Sequence, residues 1–123
     1  MTHQELEEYI LAKPGSFLDY PFGEGVAVYK VGSKDTAKMF ALIQEGKEPV
    51  QISLKCDPLL AKTLRERYDT VMPGYHLNKK LWNTVVTSGQ LTNQEVFDLI
   101  NLSYQLVVDG LSNAEQARLV GSE

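Results

Sequence analysis

Residues 26–55 read VAVYKVGSKDTAKMFALIQEGKEPVQISLK, and the fold turns on them. Val26 to Val31 is apolar and largely β-branched, and Gly32-Ser33-Lys34-Asp35 marks a turn. Lys38 to Gln44 is apolar on both parities, with Met39, Ala41 and Ile43 against Phe40 and Leu42, which predicts a strand covered on both faces. Glu45-Gly46-Lys47-Glu48 turns the chain again. Val50, Ile52 and Leu54 then alternate with Gln51, Ser53 and Lys55, as a half-buried strand requires. Connections this short predict an antiparallel meander. Three consecutive strands before the next helix disfavour parallel βαβ units and indicate a two-layer α+β fold.

Working outward, Thr2 and Glu5 have capping-box spacing. Leu6, Tyr9, Ile10 and Lys13 follow at helical intervals until Pro14-Gly15 stops the run. Ser16 to Gly25, rich in Gly, Pro and aromatics, reads as loop. Its Gly23-Glu24-Gly25 lacks the third glycine and the preceding strand of a dinucleotide fingerprint. On the other side, Asp57-Pro58 predicts an N-cap and first helical residue. The helix that follows has Leu60, Leu64 and Tyr68 as a buried stripe, with Lys62–Glu66 and Arg65–Asp69 at i,i+4 spacing. Thr70-Val71-Met72 and Leu81 to Thr87 read as short strands. Thr92 with Glu95 forms a second capping box, and Leu91 with Val96 a hydrophobic staple. They open a helix that buries Val96, Ile100, Tyr104, Val107 and Leu111 and ends at Gly110. Ser112 and Glu115 start a last short helix with a fraying tail at Gly121-Ser122-Glu123. The predicted order is α-β(3)-α-β(2)-α in a single domain over residues 1–123, with a mainly antiparallel sheet and helices packed on it.

A chain of 123 residues, 43% hydrophobic and 23% charged, holds enough apolar surface for an unstapled core. Cys56 is the one cysteine, so no internal disulfide forms. The absence of a membrane-length apolar run or signal peptide leads to an expectation of a reducing cytoplasm. The formal net charge of −4 speaks against strong, indiscriminate nucleic-acid binding. The charge is uneven, however. Residues 55–80 carry six basic side chains (Lys55, Lys62, Arg65, Arg67, Lys79 and Lys80) against three acidic ones, Asp57, Glu66 and Asp69. This basic island in an acidic chain can focus a local field that the net charge hides.

The island ends in Pro73-Gly74-Tyr75-His76-Leu77-Asn78-Lys79-Lys80-Leu81-Trp82, which no periodicity assigns to a core. Polar donors beside flat aromatic faces suit an anionic or planar partner, a phosphate or a nucleobase. His76 and Asn78 also have a structural reading, since such side chains fix irregular turns by bonding nearby backbone. Trp82 begins a strand and reads more readily as core than as a stacking platform. Adjacent Lys79 and Lys80 do little for a fold and point to solvent or an anion.

Ser53-Leu54-Lys55, Pro58, Leu64-Arg65, Tyr68, the run from Pro73 to Lys79, Trp82 and Ser103-Tyr104 resemble the MmcQ/YjbR family of small bacterial proteins. The resemblance covers nearly the whole chain and is densest from residue 50 to 108. It implies the α-β(3)-α-β(2)-α order already derived. It also implies a relationship to frataxin-type folds and the description, sometimes given to the family, of a double-wing DNA-binding domain.

No catalytic constellation is legible. The spacing of His3, His76 and Cys56 matches no metal motif, and no cofactor is expected. The acidic start of the first helix (Glu5, Glu7 and Glu8) could bind iron by analogy with frataxin-like proteins, but reads as a solvated helix start favoured by the macrodipole. Cys56 lacks a placed base and reads as a small hydrophobe. The expectation is a binding module, not an enzyme, with no membrane role. Lys55, Arg65, Lys79 and Lys80 would contact the phosphates of DNA or another phosphate-bearing ligand, with Tyr75, His76, Asn78 and Trp82 beside them. The alternative is a protein-interaction or chaperone-like module using a strand edge or apolar groove. A small-molecule enzyme centred on His76 is the third class.

Overall fold

The structure, a computed structural model, describes residues 1–74 and 77–121. Helix α1 spans His3–Leu11 and is followed by strands β1 (Ser16–Asp19), β2 (Val26–Val31), β3 (Lys38–Gln44) and β4 (Gln51–Lys55). Helix α2 (Pro58–Arg67), strands β5 (Val71–Pro73) and β6 (Trp82–Val86), and helices α3 (Asn93–Asp109) and α4 (Asn113–Gly121) complete the chain. The strands form one antiparallel sheet in the order β1-β2-β3-β4-β6-β5.

The predicted meander is present as β2-β3-β4, with Ile43 opposite Ile52 across its second pair. The double-parity apolar pattern of β3 has a local cause. A bulge lies between Tyr29 and Lys30, whose partners are Ala41 and Met39, so Phe40 is the extra residue. Phe40 and Ala41 therefore both enter the main core, while Leu42 joins a small cluster with Val28 and Trp82. An extra residue in one strand breaks strict alternation in this way.

The main core lies between the sheet and the helices. Ala27, Tyr29, Val31, Ile43, Ile52, Leu54 and Val85 from the strands meet Leu6 and Ile10 of α1, Val96, Ile100 and Val107 of α3, and Leu119 of α4. All four helices give side chains to this core, α2 through Leu64, and none gives one to the Val28–Leu42–Trp82 cluster. The sheet thus has a helix-covered face and a helix-free face.

Local chemistry fixes the helix starts. Thr2 with Glu5 and Thr92 with Glu95 make reciprocal capping boxes, and Asp57 accepts from the amides of Leu59 and Leu60 ahead of Pro58. Leu91 and Val96 are both buried, as the staple requires.

Three expectations need correction. Ser16–Asp19, read as loop, is an edge strand, with Phe17 opposite Lys30 and Leu18 opposite Tyr29. In α2 the fully buried residue is Ala61, while Leu60, Leu64 and Tyr68 are half-buried, because the helix sits at the β5–β6 margin of the sheet. In α3, Ser103 and not Tyr104 is fully buried. Tyr104 stands at the margin, where its hydroxyl donates to the Pro14 carbonyl at 2.6 Å. Of the expected fraying tail, Ser122 and Glu123 lie outside the described residues.

Candidate anion-binding site

The chain leaves β5 at Pro73 and re-enters the sheet at Trp82, and short-range bonds hold the described part of the connection, Gly74 and residues 77–81. The Gly74 amide donates to Trp82 O at 2.8 Å, and the amides of Leu81 and Trp82 donate to Asn78 O at 3.1 and 2.9 Å. The Asn78 side chain accepts from the Lys80 amide at 3.0 Å, an Asx-type turn that serves the loop itself. Gly74 permits the close approach, since a Cβ there would lie 2.7 Å from Trp82 Cβ and 3.0 Å from Trp82 O.

Two further bonds dock this loop. Arg65 of α2 donates from Nη1 to Lys79 O at 2.6 Å, and the Cys56 amide at the end of β4 donates to Leu81 O at 2.7 Å. Lys55 stands directly opposite Trp82 in the β4–β6 ladder. The fold therefore brings Lys55, Arg65, Lys79 and Lys80 to one end of the sheet, though they span 26 residues of sequence.

These cations keep their charge largely uncompensated. Arg65 and Lys79 bond to neutral carbonyls, the latter through Nζ to Gly74 O at 3.2 Å. Among the described residues, neither the Lys55 nor the Lys80 ammonium has a carboxylate partner. The neighbouring acid, Asp57, is committed to the amides of α2. The expected Arg65–Asp69 pair does not form, because the guanidinium turns to the loop carbonyl instead. Lys62 does meet Glu66, at 4.0 Å on the exposed side of the helix.

Trp82 is 6% exposed, packed with Val28 and Leu42 against Leu77 and Leu81. Its ring supports the loop from below and offers a ligand little surface. Tyr75 and His76, expected beside the cations, lie outside the described residues.

Cys56 is 5% exposed. Burial pushes its thiol pKa up, and the charge of Asp57 pushes it further, against an opposing backbone hydrogen bond and the Arg65 charge. A protonated thiol is a poor nucleophile. The acidic side chains of α1 are engaged: Glu5 in the capping box, Glu8 with Gln4, and Glu7 with the buried Tyr29 hydroxyl at 2.5 Å. Among the described residues no group of three or more His, Cys, Asp or Glu side chains could hold a metal ion. No helix among them is long and apolar enough to cross a membrane.

Sequence reasoning missed two features. One is a concavity on the helix-free face, built by residues from five strands and the turns beside them. The other is an apolar cleft of about 210 Å³ between α2 and α3, lined by Leu60, Leu64, Leu99 and Leu102 with Glu95 and Asp98 at its edge. Leu102 is 48% exposed there, and its place in the helical repeat was the available signal.

A six-stranded antiparallel sheet with its helices on one face, and a cationic loop closing one end, defines a small two-layer α+β protein. The YjbR family model matches residues 11–106. The uncharacterized protein YbdF of Escherichia coli O157:H7 is 36% identical over 117 residues, covering 95% of this chain and 93% of that one. The uncharacterized protein YjbR of Escherichia coli K12 is 33% identical over 120 residues, with 98% of each chain covered. The crystal structure of the Deinococcus radiodurans protein DR2400, with a DUF419 domain, superposes with a TM-score of 0.90 at 35% identity. That match covers 96% of this chain and 87% of the other. The chain belongs to the YjbR family.

Proposed function

We propose that this protein is a cytoplasmic binding module, not an enzyme, that takes phosphate-bearing ligands, nucleic acid first among them, at the Lys55–Arg65–Lys79–Lys80 cluster. The observation that carries the reading is the Arg65 bond to Lys79 O, which ties the loop to α2 beside Lys55 and Lys80, with no dedicated carboxylate among the described residues. A guanidinium that spends one donor on a carbonyl keeps its charge and its remaining N–H groups for an anion. Because the chain is acidic overall, at −4, binding is local, modest and sensitive to salt.

The apolar cleft between α2 and α3 favours a second reading, a protein-docking module, since Leu102 is exposed at its lip. Fluorescence anisotropy with short labelled DNA and RNA at low and physiological salt separates the two. Phosphate recognition predicts affinity that falls steeply as salt rises, through counterion release. An absence of binding to DNA, RNA and inorganic pyrophosphate at low salt rejects it and leaves the cleft.

A further inference from the structure

The helix-free face of the sheet carries a concavity of about 450 Å³ at the end away from Lys55 and Trp82. Val26, Gln44, Gln51 and Thr84 line it from β2, β3, β4 and β6, and Met72 and Pro73 from β5. The volume lies within the usual range of small-ligand sites.

Two primary amides stand in its polar lining, beside Thr84 and the charged Glu24, Glu45 and Lys47. The β3–β4 register, with Ile43 opposite Ile52, makes Gln44 and Gln51 neighbours across the strand pair. Both are half-buried, and among the described residues neither side chain is hydrogen-bonded to another protein group. Each amide offers two donors and one acceptor. Adjacent strands lie about 4.8 Å apart, comparable to the separation of the two carbonyl oxygens of a six-membered imide ring. One amide can donate to one carbonyl, and its neighbour can donate to the other while an amide oxygen accepts the ring N–H.

The remaining lining suits the same ligand. Val26, Met72 and Pro73 offer apolar surface for the faces of a flat ring. Charge is confined to Glu24, Glu45 and Lys47, with the acids in the majority, so this is a poor place for a phosphate. A purely aliphatic ligand would desolvate both amides without replacing their hydrogen bonds.

We propose that this concavity binds a neutral, planar cyclic imide through Gln44 and Gln51, the edge that a uracil-type pyrimidine and a flavin ring both carry. The site is separate from the cationic cluster and stands whether or not that cluster binds phosphate. The test is an NMR titration of the full ¹⁵N-labelled chain with uridine, 3-methyluridine and riboflavin. The side-chain NH₂ signals are followed and assigned with Gln44→Leu and Gln51→Leu.

Uridine or riboflavin should shift both Gln signals saturably, with affinity unchanged by salt because the ligand is neutral. A response to uridine alone assigns a pyrimidine source, and a response to riboflavin alone a flavin source. If uridine binds, 3-methyluridine, which lacks the ring N–H, should bind at least about tenfold more weakly. Each Leu variant should weaken binding to a similar degree. The comparison of uridine with 3-methyluridine needs only the unaltered chain, so it decides even where a variant folds poorly. No saturable shift of the Gln44 and Gln51 signals with either imide, or, where uridine binds, equal binding of 3-methyluridine, overturns the proposal.

Discussion

At the point where α3 presses on the sheet, the Ser103 hydroxyl serves two strands, donating to Phe40 O of β3 at 2.5 Å and accepting from the Lys55 amide of β4 at 2.9 Å. The Phe40 carbonyl is buried and the Lys55 amide half-buried, and an unmet buried acceptor costs more than a hydrogen bond returns. Ser103→Ala should therefore destabilise the protein by about 1–3 kcal/mol, read from urea denaturation curves. A midpoint unchanged by the substitution would show that neither strand depends on this bond. Nothing in the sequence signalled the role, because the partners lie 63 and 48 positions away. The helix caps at Thr2, Asp57 and Thr92 were legible for the opposite reason, since a cap and its amides lie within three residues.

Edges and close approaches decide the elements. Strand β1 escaped prediction because its four residues are half-buried and adjoin a stretch rich in proline and glycine, so no alternation stands out. Its pairing to β2 is reinforced by Lys30 Nζ and Asp19 Oδ2 at 2.8 Å. The hydrogen bond from Lys30, aided by the Tyr20 amide, holds the Asp19 carboxyl below its ordinary pKa of 3.8, against a small opposing effect of burial. A carboxylate with a depressed native pKa adds stability above the unfolded value, and that stability is lost as pH falls through the native one. Asp19→Asn should thus lower the melting temperature slightly at pH 7, with the difference closing as the pH falls below 3.8. A pH-independent difference would assign the loss to packing. On the far side of the sheet, Gly74 lets β5 turn against Trp82. Gly74→Ala should cost about 1–3 kcal/mol and disturb the loop amides in an NMR spectrum. Unaltered stability and unaltered loop shifts would mean that the approach of Gly74 to Trp82 is looser than 2.7 Å from a Cβ position to Trp82 Cβ.

For the molecule as a whole, the strand order explains why net charge and local charge diverge. Inserting β6 between β4 and β5 carries residues 79–82 back beside Lys55, while α2 delivers Arg65 from the covered side. An acidic chain can in this way hold a cationic end. The three-strand meander and the helix order were legible from turn spacing and periodicity. The basic island was legible from charge counting, since Lys55, Arg65, Lys79 and Lys80 fall within one third of the chain. Their convergence was not, because it rests on the Arg65 bond to a backbone carbonyl, which no pattern of side chains encodes. The Gln44–Gln51 pairing was equally hidden, as neither glutamine alone carries a signal of what lies beside it across the strands.

Lys79→Glu with Lys80→Glu tests the cationic loop directly. Both side chains are exposed, so stability should move by about 0.5 kcal/mol or less per site. The measurement is the affinity for a short DNA duplex as a function of salt. The unaltered chain should bind at low salt, with log K falling against log salt at a slope of about −0.9 per phosphate contacted. Single neutral substitutions should flatten that slope by about one unit each, and the folded double variant should not bind. A double variant that binds as tightly as the unaltered chain, with the same salt slope, would contradict the assignment of this loop.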